Sequence, residues 1–335
     1  MSHPRTSPSP SVSDSLARVS AIMRRHNVAC TPAEFHAAVN VTFHNFESQD
    51  YDQAHEDMWQ SLPGQFELLA NDCVAAQGMP RNGLRMLDIG CGTGLATDCI
   101  LKTALGKAVG SVDLLDTSRD MLARATERAR TWRVPAQTLE GLVDALPPDR
   151  QYDLIVTCSV LHHVPDIEGF ARSVARLQAR DGLFLHAQDP NGDYLTDPET
   201  VARSEERRRS RPPEWVSRLS PERVLNRLSR AMGKPAQDYV AKTNRSLVAS
   251  GLLSKPLTVE ELYSITDIHV HDGEGISLRR LGECLADYDC VTTRSYGFFG
   301  ELRSTLPPKF QRKEDALSAQ RAPNGFFISA AWRHR

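Results

Sequence analysis

The chain has 335 residues, 40% of them hydrophobic and 24% charged, with 40 Lys and Arg set against 42 Asp and Glu. That composition supports a globular fold with a proper core, and a net charge of −2 offers nothing global to attract a phosphate backbone. No stretch approaches the roughly 18 unbroken apolar residues of a membrane span. The seven cysteines are odd in number, scattered and without a C-x-x-C pair, which argues against a disulfide framework or a zinc ribbon and for a reducing cytoplasm.

The opening MSHPRTSPSPSVSDS lacks the apolar core of a signal peptide, and residues 1–12 are expected to be a disordered lead. Thr31-Pro32-Ala33-Glu34 reads as a helix start: a hydroxyl N-cap, Pro at the first helical position and a Glu closing a capping box. Helices are predicted over 15–26, 32–46 and 53–77, the last interrupted near Pro63, and together they suggest a helical lid over 13–80. The character changes at Arg85. Short apolar runs predict strands over 85–89, 111–115, 138–143, 152–157 and 183–187, with helical patterns over 95–105, 118–131 and 167–179 between them. Strands alternating with helices of this length mean βαβ units and a parallel sheet. After Pro190 the alternation stops. The polar stretch over 191–289 has helix starts at Ser220-Pro221-Glu222 and Thr258-Val259-Glu260-Glu261 and is expected to form a helical cap over a substrate. Strands over 291–299 and 325–332 complete a core expected to comprise 81–190 and 290–335.

The most informative stretch is Leu87-Asp88-Ile89-Gly90-Cys91-Gly92-Thr93-Gly94. A strand running into clustered glycines and then a helix presents backbone N–H groups and a positive helix end to a ligand, and the glycines let it approach the main chain. Two phosphate-binding patterns fail on spacing. A dinucleotide fingerprint needs Gly or Ala where Leu95 stands, and a phosphate loop needs Lys-Ser/Thr where Leu95-Ala96 stands.

The stretch resembles motif I, D-x-G-x-G-x-G, of class I S-adenosylmethionine-dependent methyltransferases. S-adenosylmethionine has an α-amino group and a sulfonium but no phosphate, so the acid Asp88 is useful beside the turn. Further motifs follow in the family's order. Asp113-Leu114-Leu115-Asp116-Thr117-Ser118 resembles the strand tip whose acid holds both ribose hydroxyls, here Asp116 with Thr117 beside it. Gly141-Leu142-Val143-Asp144-Ala145-Leu146-Pro147 resembles the segment that meets the adenine amino group, with Asp144 accepting and the Ala145 N–H nearby. Tyr152 to Asp166 resembles the fourth motif, whose backbone touches the cofactor at Cys158. The resemblance covers roughly residues 84–189. It implies a Rossmann-like doubly wound α/β sheet of seven strands in the order 3-2-1-4-5-7-6. The last two strands are paired antiparallel at one edge, with a helical segment before the core and a helical insertion before those strands. The cofactor-binding residues it implies are Asp88, Gly90, Cys91, Gly92, Asp116, Thr117, Asp144, Ala145 and Cys158.

Outside the motifs, Tyr51 lies where many small-molecule members close a tyrosine over the sulfonium, a role suited to cation–π attraction; the plainer reading is a packing tyrosine on a helix end. His44 and His55 flank it and could line an acceptor pocket, although a satisfied histidine is commoner. Tyr51 and His162 are the candidates to act at the reacting centre; the His162-His163 pair is otherwise a packing and capping feature of the family. His269-Val270-His271-Asp272 could supply metal ligands, but no fourth ligand is marked by spacing and no metal is expected. The charge run Glu205-Glu206-Arg207-Arg208-Arg209-Ser210-Arg211 reads as a solvated helix face. Tyr194, Trp215, Tyr239 and Tyr263 are the cap's aromatics, either pinning it to the core or serving the substrate.

These features point to a methyltransferase that uses S-adenosyl-L-methionine on a small molecule, of the kind found in specialised metabolism, in a lidded site with no nucleic-acid or membrane partner. One alternative is an enzyme that consumes the cofactor without methylating, for example by cyclising its aminobutyrate chain and releasing methylthioadenosine. Another is an RNA or protein methyltransferase, for which the sequence shows no basic groove.

Overall fold

The structure is a computed structural model that describes residues 12–211, 239–270 and 274–335. The expected helix start at Ser220, Trp215, His271 and Asp272 lie outside the described residues, as do all but the last residue of the expected lead.

Seven strands form one sheet: β1 (Leu84–Ile89), β2 (Val109–Asp116), β3 (Ala136–Glu140), β4 (Tyr152–Cys158), β5 (Gln178–Pro190), β6 (Tyr288–Tyr296) and β7 (Phe327–His334). Their order is β3-β2-β1-β4-β5-β7-β6, as the family resemblance implies. The first five are parallel, and β7 runs antiparallel to both β5 and β6. The predicted third strand runs too late. Its Val143 belongs to a 3-10 turn over Val143–Ala145, because Gly141, at φ 141°, turns the chain off the sheet edge.

The helices before the core are α1 (Val12–His26), α2 (Pro32–Glu47), α3 (Tyr51–Ala54) and α4 (Glu56–Gln77). The capping box at Thr31 forms, its hydroxyl accepting from Glu34 N and the Glu34 carboxylate accepting from Thr31 N at 2.8 Å. The expected break at Pro63 does not occur. Pro63 stays inside α4, where Leu62, Phe66 and Leu69 are wholly buried against the sheet, and this packing holds the helix through the lost hydrogen bond. The break falls instead at His55, whose φ of −114° and ψ of 33° are not helical.

Between the strands run α5 (Leu95–Lys102), α6 (Arg119–Ala129) and α7 (Ile167–Leu177). Beyond β5 lie α8 (Pro198–Ser210), α9 (Tyr239–Ala249), α10 (Val259–Thr266) and α11 (Leu278–Cys284), and α12 (Pro308–Ala319) connects β6 to β7. Each face of the sheet carries its own core. Met86, Leu154 and Val156 point toward α4 and α5, whereas Leu87, Ile89 and Ile155 point toward α7 and α11, the period-two alternation of a doubly covered sheet.

A third core joins parts of the chain that the sequence treats separately. Val19, Ile22, Phe35, Val39 and Phe43 of α1 and α2 pack with Tyr239, Leu247, Leu262 and Ile265 of α9 and α10. Phe43 meets Tyr239 and Tyr263 edge to face, with centroids 5.3 and 5.8 Å away. Helices α1, α2, α9 and α10 therefore make one helical layer, while α4, inside the expected lid, and α11, inside the expected cap, belong to the sheet. The charge run on α8 is only partly solvated, since Arg207 is buried and donates to Glu301 at 3.1 Å.

Candidate cofactor and acceptor site

The chain reverses its direction of strand addition between β1 and β4, and the crevice outside their carboxyl ends is where open α/β sheets place ligands. A cavity of about 840 Å³ lies there. Gly90, Gly92 and Gly94 carry the turn after β1 with φ of 64°, 52° and 91°, a left-handed region that side chains resist. Val160 crowds Gly90, where a Cβ would come within 2.6 Å of its Cγ2. At Gly92 and Gly141, both on the cavity wall, a Cβ would meet nothing within 4 Å and would protrude into open space.

Asp116 at the tip of β2 accepts Gly92 N–H on one oxygen and Ser118 N–H on the other, both at 2.8 Å. Burial raises the pKa of its carboxyl, and these backbone donors oppose that shift. Thr117, Asp144, Cys158, Tyr51, Gly90, Cys91 and Gly92 line the same cavity. Three expected site residues do not. Asp88 is wholly buried behind the turn, where one oxygen accepts from Thr97 N and Oγ1 at 3.2 and 2.6 Å. Its other oxygen has no partner among the described residues, and burial pushes its carboxyl up to about 7. The Ala145 N–H closes its own 3-10 turn onto Leu142 O. His162 turns away from the cavity toward Asp189, with Nδ1 2.8 Å from Oδ1, and His163 faces the cavity in its place. Of the metal candidates, His269 is spent on Val164 O at 2.9 Å.

Tyr51 is held in place by its neighbour. Asp52 accepts from Thr93 Oγ1 at 2.6 Å and from Trp59 Nε1 at 3.2 Å, and pairs with Arg128, whose guanidinium stacks 3.9 Å above the Trp59 ring. These bonds fasten α3 to the glycine turn. On α2, the buried Glu47 bridges His44 Nδ1 at 3.0 Å and His55 Nε2 at 3.2 Å. Burial works against its charge, but the two imidazoles hold its carboxyl at about 2. Burial likewise depresses His44, and the Glu47 carboxylate reverses this and raises it. Desolvation, with crowding by His162 and His44, holds the half-buried His163 well below the usual imidazole range. The sequence marked His44 and His55 but not Glu47; the His44–Glu47 spacing of one helical turn was the available signal.

A second cavity of about 430 Å³ adjoins the first, and Met58 and Ser159 line both. Its wall includes His55, Gln188, Leu302 and Phe327.

Comparison with known proteins finds relatives over the sheet's middle. Residues 87–184 match the profile of a family described as a methyltransferase domain. Over 106 residues the chain is 33% identical to the ubiquinone biosynthesis O-methyltransferase of Rhodopseudomonas palustris (strain HaA2), covering 32% of this chain and 40% of that protein. Over 112 residues it is 32% identical to the protein of the same name from Rhizobium etli (strain CIAT 652), covering 32% and 42%. The chain thus spans less than half the length of the curated relatives it matches. Among solved structures, the plantazolicin methyltransferase BpumL in complex with SAH aligns over 95% of this chain and 99% of that one, at 12% identity and a TM-score of 0.44.

Proposed function

We propose that this chain, which carries a class I S-adenosylmethionine-dependent methyltransferase domain, transfers the methyl group of S-adenosylmethionine to a small molecule enclosed beneath its helical cap. The observation that carries this reading is the convergence on one cavity of the glycine turn, Asp116, Asp144, Cys158 and Tyr51, contributed by five separate elements. The residues fit the cofactor. Bare Cα atoms at Gly92 and Gly141 leave space that a side chain would fill. Each Asp116 oxygen keeps a lone pair beyond its backbone donor, enough to take two ribose hydroxyls. Asp144 is exposed at the rim, free to accept from the adenine amino group. Tyr51 lies beside the turn, and its ring offers a negative face to a cation.

S-adenosylmethionine supplies an already activated methyl on a sulfonium, so the protein's task is to align an acceptor with it and to exclude water. An acceptor needs room of its own, and the adjoining 430 Å³ supports methyl transfer over intramolecular cyclisation. The enclosing helices and the net charge of −2 favour a small acceptor over RNA. Calorimetric titration with S-adenosylhomocysteine tests the cofactor assignment, and saturable one-to-one binding is expected. Absence of binding would overturn the proposal. Methylthioadenosine as the nucleoside product would establish the cyclisation reading instead.

A further inference from the structure

We infer that His162, His163 and Asp267 form a binding site for a zinc-class divalent cation, which clamps the helical layer onto the sheet. The inference goes beyond the methyltransferase reading and does not depend on it.

The three residues meet from distant parts of the chain. His162 and His163 stand on the 3-10 turn Leu161–His163 that follows β4, and Asp267 is the first residue beyond α10. One ligand atom from each lies within 4.8 Å of those from the other two. The two imidazoles have centroids 4.0 Å apart, and Asp267 Oδ1 is 3.3 Å from His163 Nδ1. Zinc bonds of about 2.0–2.1 Å set tetrahedral ligand atoms roughly 3.3 Å apart. The trio therefore has to close by no more than about 1.5 Å, which side-chain rotation can supply. Among the described residues no other group of His, Cys, Asp and Glu converges in this way. Solvated acids often cluster without an ion, but this trio is of another kind. His162 is only 8% exposed, and His163 and Asp267 are half-buried. The expectation of no metal comes from the spacing around His269, and spacing does not register an aspartate folded in from about a hundred residues away.

What surrounds the imidazoles is what a metal site needs. Metal-binding histidines almost always give their second ring nitrogen to a carboxylate or a carbonyl, which fixes the tautomer and the ring orientation. Both rings have such a partner here. His162 Nδ1 lies 2.8 Å from Asp189 Oδ1, which also accepts the His162 backbone N–H at 3.2 Å. His163 Nδ1 lies 2.7 Å from Thr266 O. With Nδ1 donating in each ring, the other nitrogen keeps its lone pair. Asp189 is wholly buried, and its Oδ2 has no hydrogen-bond partner among the described residues. A buried carboxylate short of donors is costly, and a cation on the imidazole that it orients offsets that cost.

Two imidazoles and one carboxylate suit zinc and its first-row neighbours, whereas magnesium and calcium seek oxygen ligands throughout. Three protein ligands leave the fourth position to water. His163 also lines the cofactor cavity, which gives the ion a way in. The role follows from what the ion would join. Between the turn and the segment after α10 run hydrogen bonds from His163 to Thr266 O, from His269 N to His162 O at 3.1 Å and from His269 Nε2 to Val164 O. A cation shared by Asp267 and the two imidazoles adds a far stronger bond across the same seam, because metal binding to a folded site is itself folding free energy.

The test uses the full, untagged chain, stripped of metal by chelator, with zinc, cobalt and magnesium chlorides as probes. Zinc is expected to bind one-to-one in calorimetry. Cobalt is expected to give the visible d–d absorption of a site with nitrogen ligands, and zinc to bleach it. Magnesium is expected to bind far more weakly than zinc. In limited proteolysis zinc is expected to slow cleavage within α9 and α10, and chelator to restore it. Asp267→Asn and His163→Gln are each expected to weaken zinc binding by about 10-fold or more, and Asp189→Asn by about 10–100-fold. Asp267 is half-exposed, so its variant tests the site without opening the core. His334→Gln, at the other end of the sheet, is expected to leave zinc binding unchanged. Zinc affinity unaltered in both Asp267→Asn and His163→Gln, tighter binding of magnesium than of zinc, or zinc binding that leaves cleavage of α9 and α10 unchanged would each overturn the inference.

Discussion

At the scale of single residues, the site runs on carboxylates in different electrostatic states. Asp116 is half-buried, held by two backbone donors and open to the cavity, so its loss removes charge-assisted bonds to a ligand. Asp116→Ala is expected to weaken S-adenosylhomocysteine binding by about 2–4 kcal/mol in calorimetry. An affinity within about threefold of wild type would remove Asp116 from the ribose site. Glu47 has the opposite character, buried yet held at about 2 by its two histidines. A carboxyl depressed from 4.5 in this way contributes stability that is fully present above its ordinary pKa and is lost as the pH falls toward 2. Glu47→Gln should therefore flatten the acid limb of stability against pH over that window, measured by thermal melts. A variant limb as steep as that of the wild type would show that Glu47 is not the group titrating there.

At the scale of elements, the helical layer over the cavity depends on contacts between segments far apart in the chain. Phe43 is 3% exposed and packs against Tyr239 and Tyr263. Phe43→Ala is expected to destabilise that layer by roughly 3–5 kcal/mol. Limited proteolysis should then cut first within α9 or α10 while the sheet survives, and cleavage that begins in β1–β5 would refute such local loosening. Removing residues 1–52 would act more strongly, because it takes away half of the core that α9 and α10 share as well as Tyr51. Turnover should disappear in that truncation, and retained activity would show that the N-terminal helices are no part of the site.

The same elements show what the sequence could disclose. The strands and the glycine turn were legible because backbone geometry dictates residue type at those places, whereas the strand order came from the family resemblance. Left-handed turns call for Gly90, Gly92 and Gly94, and the alternating apolar runs match the two faces of one sheet. The Glu47 bridge and the Gln188 bulge were not legible. A helix break at His55 swings an imidazole back onto the preceding helix, and the bulge arises from a register slip against a strand about 140 residues later, between Asp189 and Ile328. Local patterns carry neither event. The burial of Asp88 was not legible for a related reason, since Thr97, in the first turn of α5, folds back and covers it.

At the scale of the whole molecule, the cofactor cavity is shared by strands, loops and cap, so ligand binding should stabilise all of them together. With S-adenosylhomocysteine at about 100 times its Kd, linkage predicts roughly 2.7 kcal/mol of added stability. A single cooperative melting transition, displaced upward as one, is expected in calorimetry. A transition that splits, with only part of it moving, would show that the cap unfolds independently of the sheet. The hydrogen bond from Asn40 to Thr266 O spans 226 residues of chain, and it lies within this cap. During synthesis, then, α1 and α2 emerge long before their partners α9 and α10. The nascent protein carries the bare faces of Val39 and Phe43 until most of its length has left the ribosome. Its vulnerability to aggregation or proteolysis is consequently greatest in that interval.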